Sequence, residues 1–272
     1  MKRRMMLYFG SFNPVHNGHT ALAEWVVGEG LCDELVMVVS PQNPHKENRA
    51  LAPEMYRFEM AELACAGSRY PDRIKPSAIE FLLERPSYTV QTLRYLKENC
   101  GSEMQFSILI GADLIGSLHE WKSYEEILAG YPVYLYPRPG YEVPADLPAG
   151  ITYLAGAPLW EASSTDVRGA VERGEELTRW VHPDVARYIR SKGLYSTASR
   201  IAALTTAIAA RPDEASLYLE RGMCHYRSND WGPAINDFNR VLALDPDHRE
   251  ARQLIEMAQE ILAYRYTDIY NP

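Results

Sequence analysis

Between an apolar run, Met5 to Phe9, and a helix-forming run, Thr20 to Val27, stands Gly10-Ser11-Phe12-Asn13-Pro14-Val15-His16-Asn17-Gly18-His19. The apolar run reads as a buried first strand and the second run as a helix, so this stretch is the turn between them. Strand, Gly-rich turn, helix is the arrangement in which α/β proteins bind phosphates, because N–H groups at a helix N-terminus offer an anion hydrogen bonds and dipole stabilisation together. Gly10 and Gly18 would let backbone approach that anion without a Cβ in the way. His16 and His19 would aim two N–H donors at the same phosphate. The stretch carries neither G-x-G-x-x-G nor the Lys-Ser/Thr of a Walker loop.

The chain beyond repeats the alternation. Glu34 to Ser40 is a near-continuous apolar run typical of a strand covered on both faces. Pro41-Gln42-Asn43-Pro44-His45-Lys46 leaves it as a loop at the ligand end, where Lys46 could reach a phosphate. Pro53 starts a helix with Met55, Phe58, Met60, Leu63 and Ala64 on its apolar side and Arg57 as a surface arginine. Ile74 to Ile79 reads as a third strand. Ser87 or Thr89 caps a helix whose buried stripe is Val90, Leu93 and Leu96. Gln105 to Gly111 is a fourth strand ending at Asp113, and Trp121 lies in the short helical region after it. Pro132 to Gly140 is a fifth strand running into Arg138, framed by two prolines as suits a bidentate phosphate ligand. Ala162 to Arg168 opens a further helix, where Ser163, Ser164, Thr165 and Arg168 make a second anion site. Pro183 to Arg190 is the last helix of this part. Strands alternating with helices imply an α/β, Rossmann-like parallel sheet with right-handed crossovers, with ligands beyond the carboxyl ends of its strands.

Charge and cysteines exclude several classes. A net charge of −8 and a pI near 5.5 argue against a general nucleic-acid or anionic-membrane surface, so a polyanionic ligand must be held by a local cluster. Cys32, Cys65, Cys100 and Cys224 show no C-x-x-C pairing, which points to reduced thiols rather than disulfides or a zinc site. The opening residues hold too few apolar side chains for a signal sequence, and no run approaches the ~20 apolar residues of a membrane span. These features point to the cytoplasm.

His16-Asn17-Gly18-His19 resembles the H-x-G-H signature of the nucleotidyltransferase superfamily. Gly-Ser-Phe-x-Pro-x-His-x-Gly-His, Asn-Pro-His-Lys, Ser-Tyr-Thr, Ile-Gly-Ala-Asp with a following Trp, Arg-Pro-Gly, Ser-Ser-Thr-x-Val-Arg and Gly-Leu-Tyr stand in the order seen in bacterial nicotinate mononucleotide adenylyltransferases. The resemblance covers residues 5 to 195. Phe9 stands where many members have a glycine and Ala162 where isoleucine is usual; both are apolar flanks.

The resemblance implies an enzyme of NAD biosynthesis that takes ATP and nicotinate mononucleotide to nicotinate adenine dinucleotide and pyrophosphate. It implies Mg²⁺ on the triphosphate, with no dedicated metal site in the protein. His16, His19 and Arg168 become the catalytic residues. ATP falls to Gly10, Ser11, Phe12, His16, Gly18, His19, Gly111, Asp113, Ser164, Thr165 and Arg168. Nicotinate mononucleotide falls to Asn13, Lys46, Ser87, Tyr88, Thr89, Trp121 and Arg138. The alternatives are a sister transferase acting on nicotinamide mononucleotide or another phosphate acceptor, and an inactive scaffold.

Composition changes after Ser196, which divides the chain into a nucleotidyltransferase domain, 1–196, and a small all-α segment, 197–272. Ala215, Tyr218, Gly222, Ala234, Phe238 and Pro246 fit a tetratricopeptide repeat, with Pro212 and Pro246 one 34-residue period apart. About one and a half repeats and a closing helix from Arg249 are expected. So short an array would bury Leu204, Leu217, Leu242 and Leu244 poorly by itself, which suggests packing on the enzyme domain, a protein partner or self-association.

Overall fold

Six strands, β1 (Arg3–Gly10), β2 (Glu34–Val39), β3 (Ile74–Ser77), β4 (Met104–Gly111), β5 (Val133–Tyr136) and β6 (Ile151–Tyr153), form one sheet in the order β3-β2-β1-β4-β5-β6. Every neighbouring pair is parallel, with Leu7 opposite Val36 on one side and Ile108 on the other. The computed structural model describes residues 2–41, 51–100 and 103–269, with side chains as far as residue 262.

Parallel strands need crossovers, and helices on both faces supply all but the β5–β6 connection. Leu7, Val36, Val38, Ile108, Ile110, Val133 and Leu135 point one way and pack with Val90 and Leu93 of α3 (Thr89–Asn99) and Ile127 of α4 (Tyr124–Gly130). The intervening side chains point the other way, as strand geometry requires. There Met37 meets Cys65 of α2 (Glu54–Ala66), with sulfurs 3.9 Å apart, and α1 (Asn17–Gly28) also packs on β2. Chain order reverses between β1 and β4. In a doubly wound sheet the ligand crevice opens at that point, beyond the strands' carboxyl ends.

Several details differ from the sequence reading. The third strand stops at Ser77 and a 3-10 turn, Ile79–Leu82, follows; Pro76 is tolerated because β3 is an edge strand. Ile151–Tyr153 adds a sixth, three-residue strand. Tyr88, not Ser87 or Thr89, is the residue preceding α3, and its N–H donates to Gln91 Oε1 at 3.1 Å. On α2 the buried stripe is Arg57, Met60, Ala61, Ala64 and Cys65, whereas Met55 is half exposed.

The unit Met1–Lys192 closes with α5 (Ser164–Glu172) and α6 (Pro183–Ser191), and a second unit spans Gly193–Pro272. The second unit consists of α7 (Thr197–Ala210), α8 (Ala215–Arg227), α9 (Trp231–Leu244) and α10 (Arg249–Ile269), each packed on the next. It has its own core. Leu204, Ile208, Leu217, Phe238, Val241 and Ile255 are buried together, with Leu242 and Leu244 packed against them. The poor burial expected of Leu204 and Leu217 is therefore corrected: α7 and α10 complete the hairpin of α8 and α9. Gly222 lets Phe238 lie against α8, since a Cβ there would come within 2.6 Å of the ring. Arg221 adds a two-bond pair to the buried Asp237, at 2.7 and 2.9 Å.

Candidate active site

A cavity of about 610 Å³ opens at the carboxyl ends of β1 and β4. Gly10 and Gly111, the last residues of those two strands, lie in its wall. The residues after Gly10 do not run straight into α1. Phe12 takes φ +43, in the left-handed region that a bulky residue enters at a cost of order 1–3 kcal/mol. Its ring folds back over Gly10, where a Cβ would come within 3.0 Å of it, and is 2% exposed. The ring also meets Tyr8 and His19 edge-on, at centroid distances of 5.5 and 5.0 Å.

The two histidines are locked to each other and to backbone. His16 caps α1, and its Nδ1 accepts the Gly18 N–H at 3.1 Å; His19 Nδ1 accepts the His16 N–H at 3.1 Å. With both Nδ1 atoms accepting, the neutral rings carry their protons on Nε2, an assignment made from the hydrogen-bond network. The rings lie 3.7 Å apart between centroids. Burial, reinforced by the Arg138 charge, lowers the His16 pKa to about 4. At neutral pH His16 is thus a neutral donor, not a cation.

The second of the two stretches expected to bind an anion is built onto the first. Ser163 caps α5 in a reciprocal pair with Asp166, which leaves Ser164 and Thr165 in the first turn. Ser164 Oγ donates to the Pro14 carbonyl at 2.9 Å, and Arg168 Nη1 donates to the Asn13 carbonyl at 2.8 Å. The start of α5 is therefore tied to the turn that leads into α1, and two positive helix ends converge on one cavity. Arg168 Nη2 also donates to Thr165 Oγ1 at 3.0 Å.

Across the cavity, Arg138 Nε lies 3.4 Å from Asp113 Oδ1. Asp113 folds back over Gly111 so closely that any Cβ at 111 would collide with it. The Tyr8 and Tyr136 hydroxyls meet at 3.3 Å, and burial raises the pKa of both phenols, so both stay protonated. Ser87, Tyr88, Thr89 and Trp121 line the side formed by α3 and the 3-10 helix Ala112–Glu120. Lys122 Nζ sits 4.5 Å from the centre of the Tyr88 ring.

Gly10, Ser11, Phe12, Asn13, His16, His19, Ser87, Tyr88, Thr89, Gly111, Asp113, Trp121, Arg138, Ser164, Thr165 and Arg168 all line this cavity. Gly18 does not. Its Cβ would come within 2.5 Å of the Trp160 indole, so the structure gives Gly18 a packing reason for its size. Lys46 lies outside the described residues.

Among the residues the sequence reading did not assign to the site, Glu80 lines the cavity and Arg57 lies behind its wall. Arg57 is 1% exposed rather than a surface arginine. Its guanidinium donates to the carbonyls of Ser11, Ser40, Pro41 and Ala52 at 2.7–2.9 Å, pinning the Gly-rich turn to the end of β2 and the approach to α2. Asn13 Oδ1 accepts the Ala52 N–H at 3.0 Å and closes the same knot. Arg57 precedes Met60, Ala61 and Ala64 by three, four and seven residues, so its place on the buried stripe was legible as helical spacing. Glu80 is 3% exposed. Nothing in its local sequence marks it.

A cytidylyltransferase-like family model matches residues 7–170. A probable nicotinate-nucleotide adenylyltransferase of Flavobacterium johnsoniae is 36% identical over 196 residues, covering 70% of this chain and 97% of that protein. The chain belongs to the nicotinate-nucleotide adenylyltransferase family. A relative of the same description from Porphyromonas gingivalis is 40% identical over 176 residues, 64% of this chain and 87% of its own. The fold is shared with nicotinic acid mononucleotide adenylyltransferase of Plasmodium falciparum solved with NaAD, at TM-score 0.59 and 17% identity, over 71% of this chain and 97% of that one. A tetratricopeptide-repeat model matches residues 186–259, across most of the helical unit.

Proposed function

We propose that this enzyme transfers the adenylyl group of ATP to nicotinate mononucleotide, giving nicotinate adenine dinucleotide and pyrophosphate in NAD biosynthesis. One observation carries the reading: two helix N-termini, the paired rings of His16 and His19, and Arg168 are tied to one turn at the switch point of a doubly wound sheet. A phosphate oxygen of the mononucleotide attacks the α-phosphorus of ATP, and the bond to the β-phosphate oxygen breaks. The attacking group is already an anion at pH 7, so the protein need supply no nucleophile and no strong base. Its task is to hold two polyanions in line and to stabilise charge on the α-phosphate and departing pyrophosphate.

In this reading His16 and His19 donate from Nε2 to the ATP phosphates, and the start of α5 with Ser164, Thr165 and Arg168 holds the β- and γ-phosphates. Gly10, Ser11, Phe12, Gly111 and Asp113 shape the adenosine side. Trp121 stacks on the pyridine ring, Asn13, Ser87, Tyr88 and Thr89 engage its carboxylate and ribose side, and Lys46 and Arg138 bind the mononucleotide phosphate. Among the described residues no group of three or more His, Cys, Asp or Glu side chains is arranged to hold a metal, and Asp113 is engaged with Arg138. In this reading Mg²⁺ is carried by triphosphate oxygens and water and neutralises charge on the nucleotide. No helix among the described residues is long and apolar enough to cross a membrane, and we take the cytoplasm as the place of action. The helical unit holds none of these residues and is open to a protein partner or to self-association.

The test is pyrophosphate release by the purified protein with ATP and, in parallel, nicotinate or nicotinamide mononucleotide. Turnover at least about tenfold more efficient with the nicotinate form supports the reading. Preference for the amide form would assign the sister activity, and no turnover with either would leave a scaffold.

A further inference from the structure

Glu80 is a buried carboxylate in the cavity wall that none of the roles above uses. It sits on the 3-10 turn after β3, and three hydroxyls surround it. Thr92 Oγ1 donates to its Oε1 at 3.0 Å, Ser87 Oγ to its Oε2 at 3.2 Å, and Ser40 contributes a third bond. Burial pushes the carboxyl pKa up and these bonds hold it down. The partners come from different elements: Ser40 follows β2, Ser87 stands before α3, and Thr92 lies in its first turn. Tyr88 and Thr89 lie between the two residues that Glu80 holds on this helix. Glu80 therefore ties the start of α3 to the residue after β2, in addition to the packing of Val90 and Leu93 on the sheet.

An acid in this wall needs a reason, because burying a carboxylate costs free energy that an apolar side chain would not. In the reading above it also stands beside the residues that engage the pyridine carboxylate. Donated hydroxyls occupy its lone pairs, which keeps its charge from meeting the ligand's unscreened.

We propose that Glu80 is a positioning residue for the pyridine nucleotide: through Ser87 and Thr92 it sets the N-terminal turn of α3, and with it the affinity for nicotinate mononucleotide but not for ATP. This rests on the reading that Ser87, Tyr88 and Thr89 engage the pyridine side. Gln at this position can accept from one hydroxyl and donate to the other, so it preserves the geometry without the charge. Ala preserves neither.

The experiment measures KM for each substrate, and kcat, on the full-length protein. Glu80→Ala should raise KM for nicotinate mononucleotide by about tenfold or more with KM for ATP within about twofold, and Glu80→Gln should restore it to within about threefold of wild type. An equal rise in both KM values, an unmoved KM for the mononucleotide, or a Gln variant as impaired as Ala overturns the inference. If Glu80→Ala does not fold, Thr92→Val decides: a rise of about threefold or more confined to the mononucleotide supports it, and unchanged or equally raised KM values sink it. Wild-type activity separates the two readings. A wild type inactive with nicotinate mononucleotide removes the proposed function, whereas an active wild type with unresponsive variants removes this inference alone.

Discussion

In the proposed reaction His16 and His19 act through one nitrogen each, because backbone N–H groups occupy the other. Removing such a donor from a site of developing charge typically costs about 2.7–4 kcal/mol, so His19→Ala should lower kcat by about 10²-fold or more with the fold intact. Turnover of the variant within threefold of wild type would remove His19 from the mechanism. His16 has a second, pH-dependent consequence. Its pKa of about 4 lies below the ordinary 6.5, so between those values the unfolded chain binds a proton that the folded chain refuses. Stability therefore rises with pH across that window, is reduced by roughly 3 kcal/mol once pH falls below about 4, and owes nothing to this group above about 6.5. Urea unfolding at pH 7.5 and 4.5 should show a smaller loss in His16→Gln than in wild type. Equal losses would mean His16 titrates normally.

Elements meet at this site through single side chains, and Arg57 is the strongest case. A buried acceptor left without its donor costs about 1–3 kcal/mol, and Arg57→Met removes the donor from the carbonyls of Ser11, Ser40, Pro41 and Ala52. We expect a loss of about 3 kcal/mol or more by chemical denaturation, only partly recovered in Arg57→Lys, whose point charge cannot span all four. A variant within 1 kcal/mol of wild type by the same measurement would make the clasp dispensable. Trp121 ends the 3-10 helix Ala112–Glu120 and faces the cavity from there. Base stacking is worth roughly 1–3 kcal/mol, so Trp121→Ala should raise KM for nicotinate mononucleotide by about fivefold or more while KM for ATP holds; equal losses would make Trp121 a core residue. At this scale the sequence was partly readable. Long apolar runs and capped helices announced β1, β2, β4, α3 and α6, and the glycine turn announced the cavity. β6 is three residues long and gives periodicity nothing to act on. Glu80 acts through hydroxyls from two other elements, which only the folded chain brings together. Arg57 was misread because arginine normally favours water, and four carbonyls here replace it.

On the scale of the whole molecule, the residues assigned to substrate all lie within Met1–Lys192, while the unit beyond it closes a core from its own four helices. The sequence placed the change of character after Ser196, close to the division at Lys192. It expected both flanking helices but judged so short an array unable to bury its own apolar faces, whereas α7 and α10 bury Ile208 and Ile255 alongside Phe238. The second unit has a core of its own, and the parallel sheet is covered by helices of the first unit. Residues 1–197 expressed alone should then keep kcat/KM within about threefold of the full chain per folded molecule, since transition-state stabilisation depends on groups that remain in place. Size-exclusion profiles of the full chain and the fragment, run beside the kinetics, separate a change of assembly from a change of chemistry. A monodisperse fragment with activity reduced more than about tenfold would show that the repeats shape the active site, and catalysis would have to be described as a property of both units together.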